Sequence, residues 1–382
     1  MKNIVGQTPT GKDFFQRPWL MDKIYRRLEA GDNLFLSAPR RAGKTSIMKY
    51  LEDQPRPGFF FLYLNTEDIL TSRDFFKAIA EGLLESDRLR QMTKMLANAK
   101  GVFQQFFDTF SKIKVAELEL EMVEQEGLSY KDALETLIKK INTTEQRLVI
   151  MLDEFPFTIE HIAKTSGAAA AVQFLRLNRN LRQEAGHGIQ FMYTGSIGLA
   201  TTASRLKATE ALNDLNIVEI PPLEETEAAQ LSRQLLDNYE VSYEETVIPY
   251  LLKKLKWLMP FFIQLLIQLL IDEAQYKGRT IDEDMVDKML AKASSHRSNI
   301  HFESYYTRLD KALDEEEVTS ARQILLRIAK EDSVAVGAFK ALPNANAIIE
   351  ILKVDGYIHQ TNDAYFFNSP ILQNWWKIFA AL

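Results

Sequence analysis

The stretch that most restricts this chain is a strand-like run, Asn33-Leu34-Phe35-Leu36-Ser37, that leads directly into Ala38-Pro39-Arg40-Arg41-Ala42-Gly43-Lys44-Thr45. An apolar-periodic helix is predicted to follow, from about Lys44 to Leu51. A buried strand handed to a helix through a short loop opens an α/β domain, because parallel strands need crossover helices between them. The loop follows the pattern GxxxxGK[ST], with Ala38 in place of the first glycine. Each position has a physical reason. A backbone that wraps its N–H groups around a polyphosphate needs Gly43 for its dihedral angles and close approach. Lys44 would bring a point charge to the β- and γ-phosphates, and Thr45 a hydroxyl to Mg²⁺. The helix that starts here, through Ser46, would aim its positive end at the same phosphates. A surface loop can contain Gly-Lys-Thr by chance, but a buried strand before it and an apolar helix after it argue otherwise. Residues Ala38 to Ser46 are thus the expected nucleotide-binding segment, with ATP or ADP and Mg²⁺ as the expected cofactors.

The α/β rhythm continues. Phe59–Leu64 is predicted as a second strand, followed by helices at about Ser72–Leu84 and Tyr130–Ile141. Leu148-Val149-Ile150-Met151-Leu152 is an unbroken apolar run, the mark of a central strand covered on both faces. It ends in Asp153-Glu154. Ligands of open α/β sheets sit beyond the carboxyl ends of strands, so both acids are expected to face the nucleotide. Asp153 would hold Mg²⁺ and Glu154 would polarise the attacking water. Such a pair can also be merely solvated at a strand end. The phosphate loop upstream favours the catalytic reading.

A further strand, Ile189–Tyr193, ends in Thr194-Gly195-Ser196. Thr194 and Ser196 are candidates to bond the γ-phosphate or the water, although hydroxyls there also cap loops. The helix at about Ala168–Glu184 carries Arg176, Arg179 and Arg182, and Arg205 lies further on. Arginine rows are usually solvated helix faces, but an arginine at a domain or subunit edge can neutralise phosphoryl charge. Arg182 and Arg205 are the preferred candidates for that role.

Two regions depart from the rhythm. Residues 86–127 are rich in Lys and Glu with interleaved phenylalanines and are predicted to form an insertion, helical at first. Val115–Leu120 alternates and is predicted as a strand or hairpin arm. After Pro221-Pro222 the chain turns helical, with helices predicted at Glu225–Tyr239, Glu244–Lys256, Pro260–Tyr276 and Asp282–Ala293. Helices at Val318–Lys330 and Asn346–Val354, then a hairpin of Tyr357–Gln360 and Ala364–Phe367, suggest a winged helix. The expected division is an ATPase core over residues 1–220, a helical lid over 221–300 and a winged-helix-like domain over 301–382. The whole is an α/β fold, a parallel sheet with helices on both faces followed by those two modules.

Composition removes other classes. With no cysteine there is no disulfide and no Cys-based metal centre, which fits a reducing compartment. The net charge of −6 argues against a chain built as a whole for nucleic acid or anionic membrane. Trp257–Ile271 is apolar but too short to span a bilayer, and Gln264 and Gln268 interrupt it. The expectation is a soluble cytoplasmic protein.

Taken in order, SAPRRAGKTS, LVIMLDEFP and MYTGS resemble the STAND and archaeal-type ATPases of the AAA+ superfamily. Phe15-Gln16-Arg17 is similar to the family's F-x-x-Arg opening, where the chain passes near base and phosphates. Trp257-Leu258-Met259-Pro260 resembles its Gly-x-Pro lid motif, with Leu258 standing where the family has glycine. The resemblance implies nucleotide contacts at Arg17 and Pro260, slow ATP hydrolysis, and a switch between ADP-closed and ATP-open forms. Self-association or a separately encoded protein partner is implied with it. The alternative is an ATPase of the origin or transposition type that grips DNA through its winged helix.

Overall fold

The computed structural model describes residues 1–86, 99–118, 129–140, 147–185, 188–195, 198–295 and 299–379. The chain divides into two compact units, one of residues 18–37 and 47–219, the other of residues 1–17, 38–46 and 220–382.

The first, the sheet unit, is built on five parallel strands: β1 (Asn33–Ser37), β2 (Phe59–Asn65), β3 (Arg147–Asp153), β4 (Ile189–Thr194) and β5 (Leu215–Glu219), in the order β2-β3-β4-β1-β5. Their helices are α1 (Pro18–Glu29), α2 (Lys44–Asp53), α3 (Ser72–Glu85), α4 (Ala99–Leu118), α5 (Tyr130–Lys140), α6 (Phe155–Ser166), α7 (Ala168–Glu184) and α8 (Leu199–Arg205). Parallel strands joined through helices make this an α/β fold, as the sequence leads one to expect. From Leu148 to Asp153 every residue of β3 is buried, as the unbroken apolar run demands of a strand covered on both faces. At the edge, β5 buries only Val218 and leaves Ile217 exposed. A five-residue strand with one buried side chain has no periodicity to read, and the sequence gives no sign of it.

The alternation at Val115–Leu118 is misleading. These residues are the last turn of α4, not a strand. Phe106, Phe110 and Ile113 recur at helical spacing and are buried, which fixes the helix upstream. Extending a helix through Val-Ala-Glu-Leu then costs far less than starting a new element. Leu120 and the rest of the expected hairpin lie outside the described residues.

The second, the helical unit, holds α9 (Glu225–Asn238), α10 (Val247–Leu255), α11 (Pro260–Lys277), α12 (Glu283–Ala293), α13 (Asn299–Ala312), α14 (Glu315–Glu331), α15 (Ala345–Val354) and α16 (Pro370–Phe379). A small antiparallel sheet is formed by β6 (Val334–Ala335), β7 (Ile358–Thr361) and β8 (Ala364–Phe367), in the order β6-β8-β7. Helix α9 opens with a reciprocal cap between Glu224 and Glu227, and α11 opens on Pro260, whose missing N–H no helix would use there. The first residues strap these helices together. The Met1 amino group donates to Asn238 at 3.2 Å, and Asn3 Nδ2 donates to the Gln264 carbonyl at 2.9 Å and to Gln268 at 3.3 Å. The two glutamines that interrupt the greasy run are thus where the amino-terminal segment docks. Toward the carboxyl end, Phe302, Tyr305, Tyr357, Trp375 and Trp376 form one aromatic core. Among the described residues, no helix is long and apolar enough to cross a membrane.

Candidate functional site

In the sheet unit, register decides which groups meet. β1, β3 and β4 run parallel, so Ser37, Asp153 and Thr194 all end at one edge of the sheet. Asp153 is only 2% exposed, and its carboxylate is held from both sides. On one side Tyr63 of β2 donates its phenol to Oδ2 at 3.1 Å. On the other, Thr194 of β4 donates its hydroxyl to Oδ1. The Glu154 amide adds a bond to Oδ1 at 3.1 Å. Thr66 completes the clamp, with its amide and hydroxyl both 2.9 Å from the Asp153 carbonyl. Burial, and next the charge of Asp153, push the Tyr63 phenol above its ordinary range, so it stays a donor. The Lys49 ammonium lies 4.5 Å from the Tyr63 ring.

Glu154 follows with φ +57° and ψ +29°, a left-handed backbone that side-chain-bearing residues seldom adopt. It stands immediately before α6, whose first turn contains Pro156. The sharp exit from β3 sets Glu154 apart from the strand direction, and residues held this way cluster at functional sites.

The arginines separate into different roles. Arg182 is buried and bonds Asp214 through Nε at 2.6 Å and Nη2 at 2.8 Å. Nη1 donates to the Tyr193 hydroxyl at 3.2 Å, and Nη2 also donates to the Ala211 carbonyl at 2.6 Å. Burial would lower its affinity for the proton, but Tyr193 and Asp214 outweigh that and raise it. The expectation of a finger or sensor role meets an arginine whose guanidinium pins α7 to β4 and to the segment before β5. The periodicity of the row could not show this, since Asp214 is distant in sequence. Arg205, the last residue of α8, is exposed, and Arg176 pairs with Glu210 at 3.3 Å. Ser196 lies outside the described residues.

In the helical unit, the loop Ala38–Gly43 turns on two positive φ angles, +68° at Arg41 and +88° at Gly43. A Cβ at Gly43 would meet nothing within 4 Å, so backbone conformation and not crowding requires the glycine. Successive N–H groups on such a turn form an anion-binding concavity. Lys44 Nζ donates to the loop's own carbonyls, 2.8 Å to Ala38 and 3.1 Å to Pro39. The Arg41 guanidinium lies over the Phe261 ring at 4.4 Å, directly after Pro260. Arg17 is buried and donates to the carbonyls of Pro221 at 2.7 Å and Pro222 at 3.1 Å, and pairs with Glu227 at 3.1 Å. It therefore clamps the start of α9.

One constellation had no signal in the sequence. Arg308 and Asp355 form a buried ion pair, with bonds of 3.1 and 3.2 Å. Burial pushes the Asp355 carboxyl upward, opposed first by Arg308 and then by Lys44 and Arg40. Tyr305, which donates nothing to a described partner, is pushed up to about 12 by burial, with Arg41 and Arg40 opposing.

Residues 27–202 match the AAA domain family. Comparison with curated protein sequences finds no match. Among solved structures, the Walker-type ATPase of Pyrococcus abyssi is similar at 16% identity and a TM-score of 0.62, covering 99% of this chain and 100% of that one. The ORC2 protein of Aeropyrum pernix, solved in ADPNP and ADP complexes, is similar at 14% identity and a TM-score of 0.51, covering 96% of this chain and 94% of that one. At such identities the likeness is one of fold.

Proposed function

We propose that this AAA-domain chain is a Mg²⁺-dependent ATPase that works as a slow conformational switch of the STAND kind. The observation that carries the reading is the Asp153 carboxylate, buried at the end of the central strand, held by hydroxyls of both neighbouring strands and followed by Glu154 in a left-handed backbone. The residues fit the groups they would hold. The loop's paired positive φ angles and the open side of Gly43 suit a polyphosphate, for which the backbone of Ala38 to Ser46 and Lys44 would be the ligands. Thr45 and Asp153 offer hard oxygen donors of the type Mg²⁺ takes. Mg²⁺ would supply charge neutralisation on the β- and γ-oxygens. Glu154 accepts the proton of the water that attacks the γ-phosphorus as the bond to the β-phosphate oxygen breaks and ADP leaves. Tyr63 and Thr194 orient the Asp153 carboxylate from its two sides.

The switch uses the division proposed from sequence, a core of residues 1–220, a lid of 221–300 and a winged-helix-like module of 301–382. ADP favours the closed form, and ATP favours self-association or engagement of a separate protein. Phosphate release, together with gel filtration in ADP and in a non-hydrolysable ATP analogue, tests both parts. No turnover sinks the enzyme, and identical elution sinks the switch.

The arrangement of helices α14 to α16 with the sheet β6-β8-β7 favours a second reading, a DNA-handling ATPase gripping duplex through a winged helix. Affinity for DNA needs several Lys or Arg contacts. In α15 the one lysine, Lys353, pairs with Glu350 at 2.8 Å. The first reading therefore expects no salt-sensitive DNA binding by the full chain at physiological ionic strength. Sub-micromolar binding that weakens steeply with salt would promote the second.

A further inference from the structure

The turn Asp355-Gly356-Tyr357, between α15 and β7, lies against the loop of residues 38–46. A Cβ at Gly356 would stand 2.6 Å from the Cβ of Pro39 and 2.9 Å from Cη2 of Trp257, and its φ is +82°. Only glycine allows both that conformation and that approach. Pro39 is also the residue whose carbonyl accepts from Lys44 Nζ at 3.1 Å. The residue before the glycine is an acid with almost no exposure, 3% at its side chain. A buried carboxylate with a single partner arginine is costly, and further cations nearby offset that cost. Gly356 against Pro39 brings Asp355 to the loop that carries Arg40 and Lys44, and both cations oppose the rise that burial gives its carboxyl.

We infer that this turn is a wall of the phosphate site, and that the Asp355 carboxylate is a resident anion beside Lys44 and Arg40 with which an incoming polyphosphate competes. The inference rests on the reading of residues 38–45 as a phosphate loop. Arg308 pairs with this anion directly, and Arg40 and Lys44 belong to the loop against which its turn packs. Asp355 lowers the positive potential that a polyphosphate meets, and so weakens binding and speeds release. By linkage, the position of the turn and phosphate occupancy bias each other equally. Tyr357 transmits the bias, since its hydroxyl donates to the Tyr305 carbonyl at 2.6 Å within the aromatic core.

The test is calorimetric titration of the full chain with inorganic tripolyphosphate and, separately, ATP. Asp355→Asn should tighten tripolyphosphate binding about tenfold, the scale of one unit charge removed at short range in a partly polar medium. Glu350→Gln removes the same charge from the exposed face of α15 and should leave affinity unchanged, which separates a local anion from net charge. Equal or weaker binding by Asp355→Asn, beside a wild type that binds, overturns the inference. Loss of cooperative melting in Asp355→Asn shifts the test to Gly356→Ala, which keeps both charges and drives a methyl group between the turn and Pro39. Tighter binding by that variant upholds the inference, and unchanged or weaker binding overturns it. A wild type that binds neither ligand removes the phosphate-loop reading itself, and the inference falls with it.

Discussion

The carboxyl end of β3 and the loop after β1 both gather charge, by opposite means. Around Asp153 the partners are fixed by strand register. Asn65 pairs with Asp153 across the sheet, which brings Tyr63 within reach, and the β3–β4 ladder brings Thr194 to the other oxygen. Around the loop the partners come from residues far along the chain, Phe261 beneath the Arg41 guanidinium and Gly356 against Pro39. A sheet edge is rigid because its backbone bonds are shared with neighbours on both sides. A loop faced by separate helices is held by side-chain contacts, which a ligand can displace. The first region suits chemistry at fixed distances; the second suits binding coupled to rearrangement.

That contrast predicts that variants of the loop act on binding and variants of the strand end act on turnover. Lys44→Ala should show the largest effect, loss of measurable ATP binding by calorimetry, because the phosphates lose their counter-charge. Unchanged affinity would remove the loop from the site. Glu154→Gln should still bind ATP with near-normal affinity while phosphate release slows about 10²-fold, the scale of a lost general base. If binding failed instead, Glu154 would be structural and the contrast would collapse.

Arg182→Ala sharpens the comparison within the sheet unit. Removing one partner of a buried pair leaves Asp214 uncompensated and should cost about 3 kcal/mol of stability. Turnover per folded molecule should hardly change. A stable variant with lost turnover would restore the finger role to Arg182. The smallest expected effect concerns His301 in the helical unit. Burial, and then Arg41, hold its imidazole below the ordinary value of about 6.5. A lowered folded value means that its contribution to stability is complete above pH 6.5 or so and fades as pH falls through the folded value. The melting temperature of the wild type should therefore fall more than that of His301→Gln between pH 8 and pH 5. Parallel behaviour down to pH 5 would show that His301 does not couple to folding.

Much of this molecule is legible in its sequence. A continuous apolar run such as Leu148–Leu152 has one economical solution, a central parallel strand, and the acids after it then stand at the sheet edge. The pattern Ala38–Thr45 between strand and helix is equally local. The hairpin of β7 and β8 was marked by its polar turn, with Asn362 at φ +50°. Local sequence misled where burial was slight or the element was set from outside. Ile217 and its neighbours in β5 carry too few buried side chains to announce a strand. Val115–Leu118 alternates like one, yet extends a helix fixed by Phe106 and Phe110.

What the sequence determined by itself is whatever depends on neighbours within a turn or a strand: the Gly-Lys-Thr loop between strand and helix, the buried strand and the two acids at its end. The tertiary structure alone decided the partners of each charge. Arg182 met Asp214, Arg17 met Pro221 and Glu227, and Asp355 met Arg308 beside the loop. The physical reason is that backbone hydrogen bonding and hydrophobic periodicity act over a few residues. The field felt by a buried charge is set by whatever the fold brings within a few ångströms, however distant in the chain.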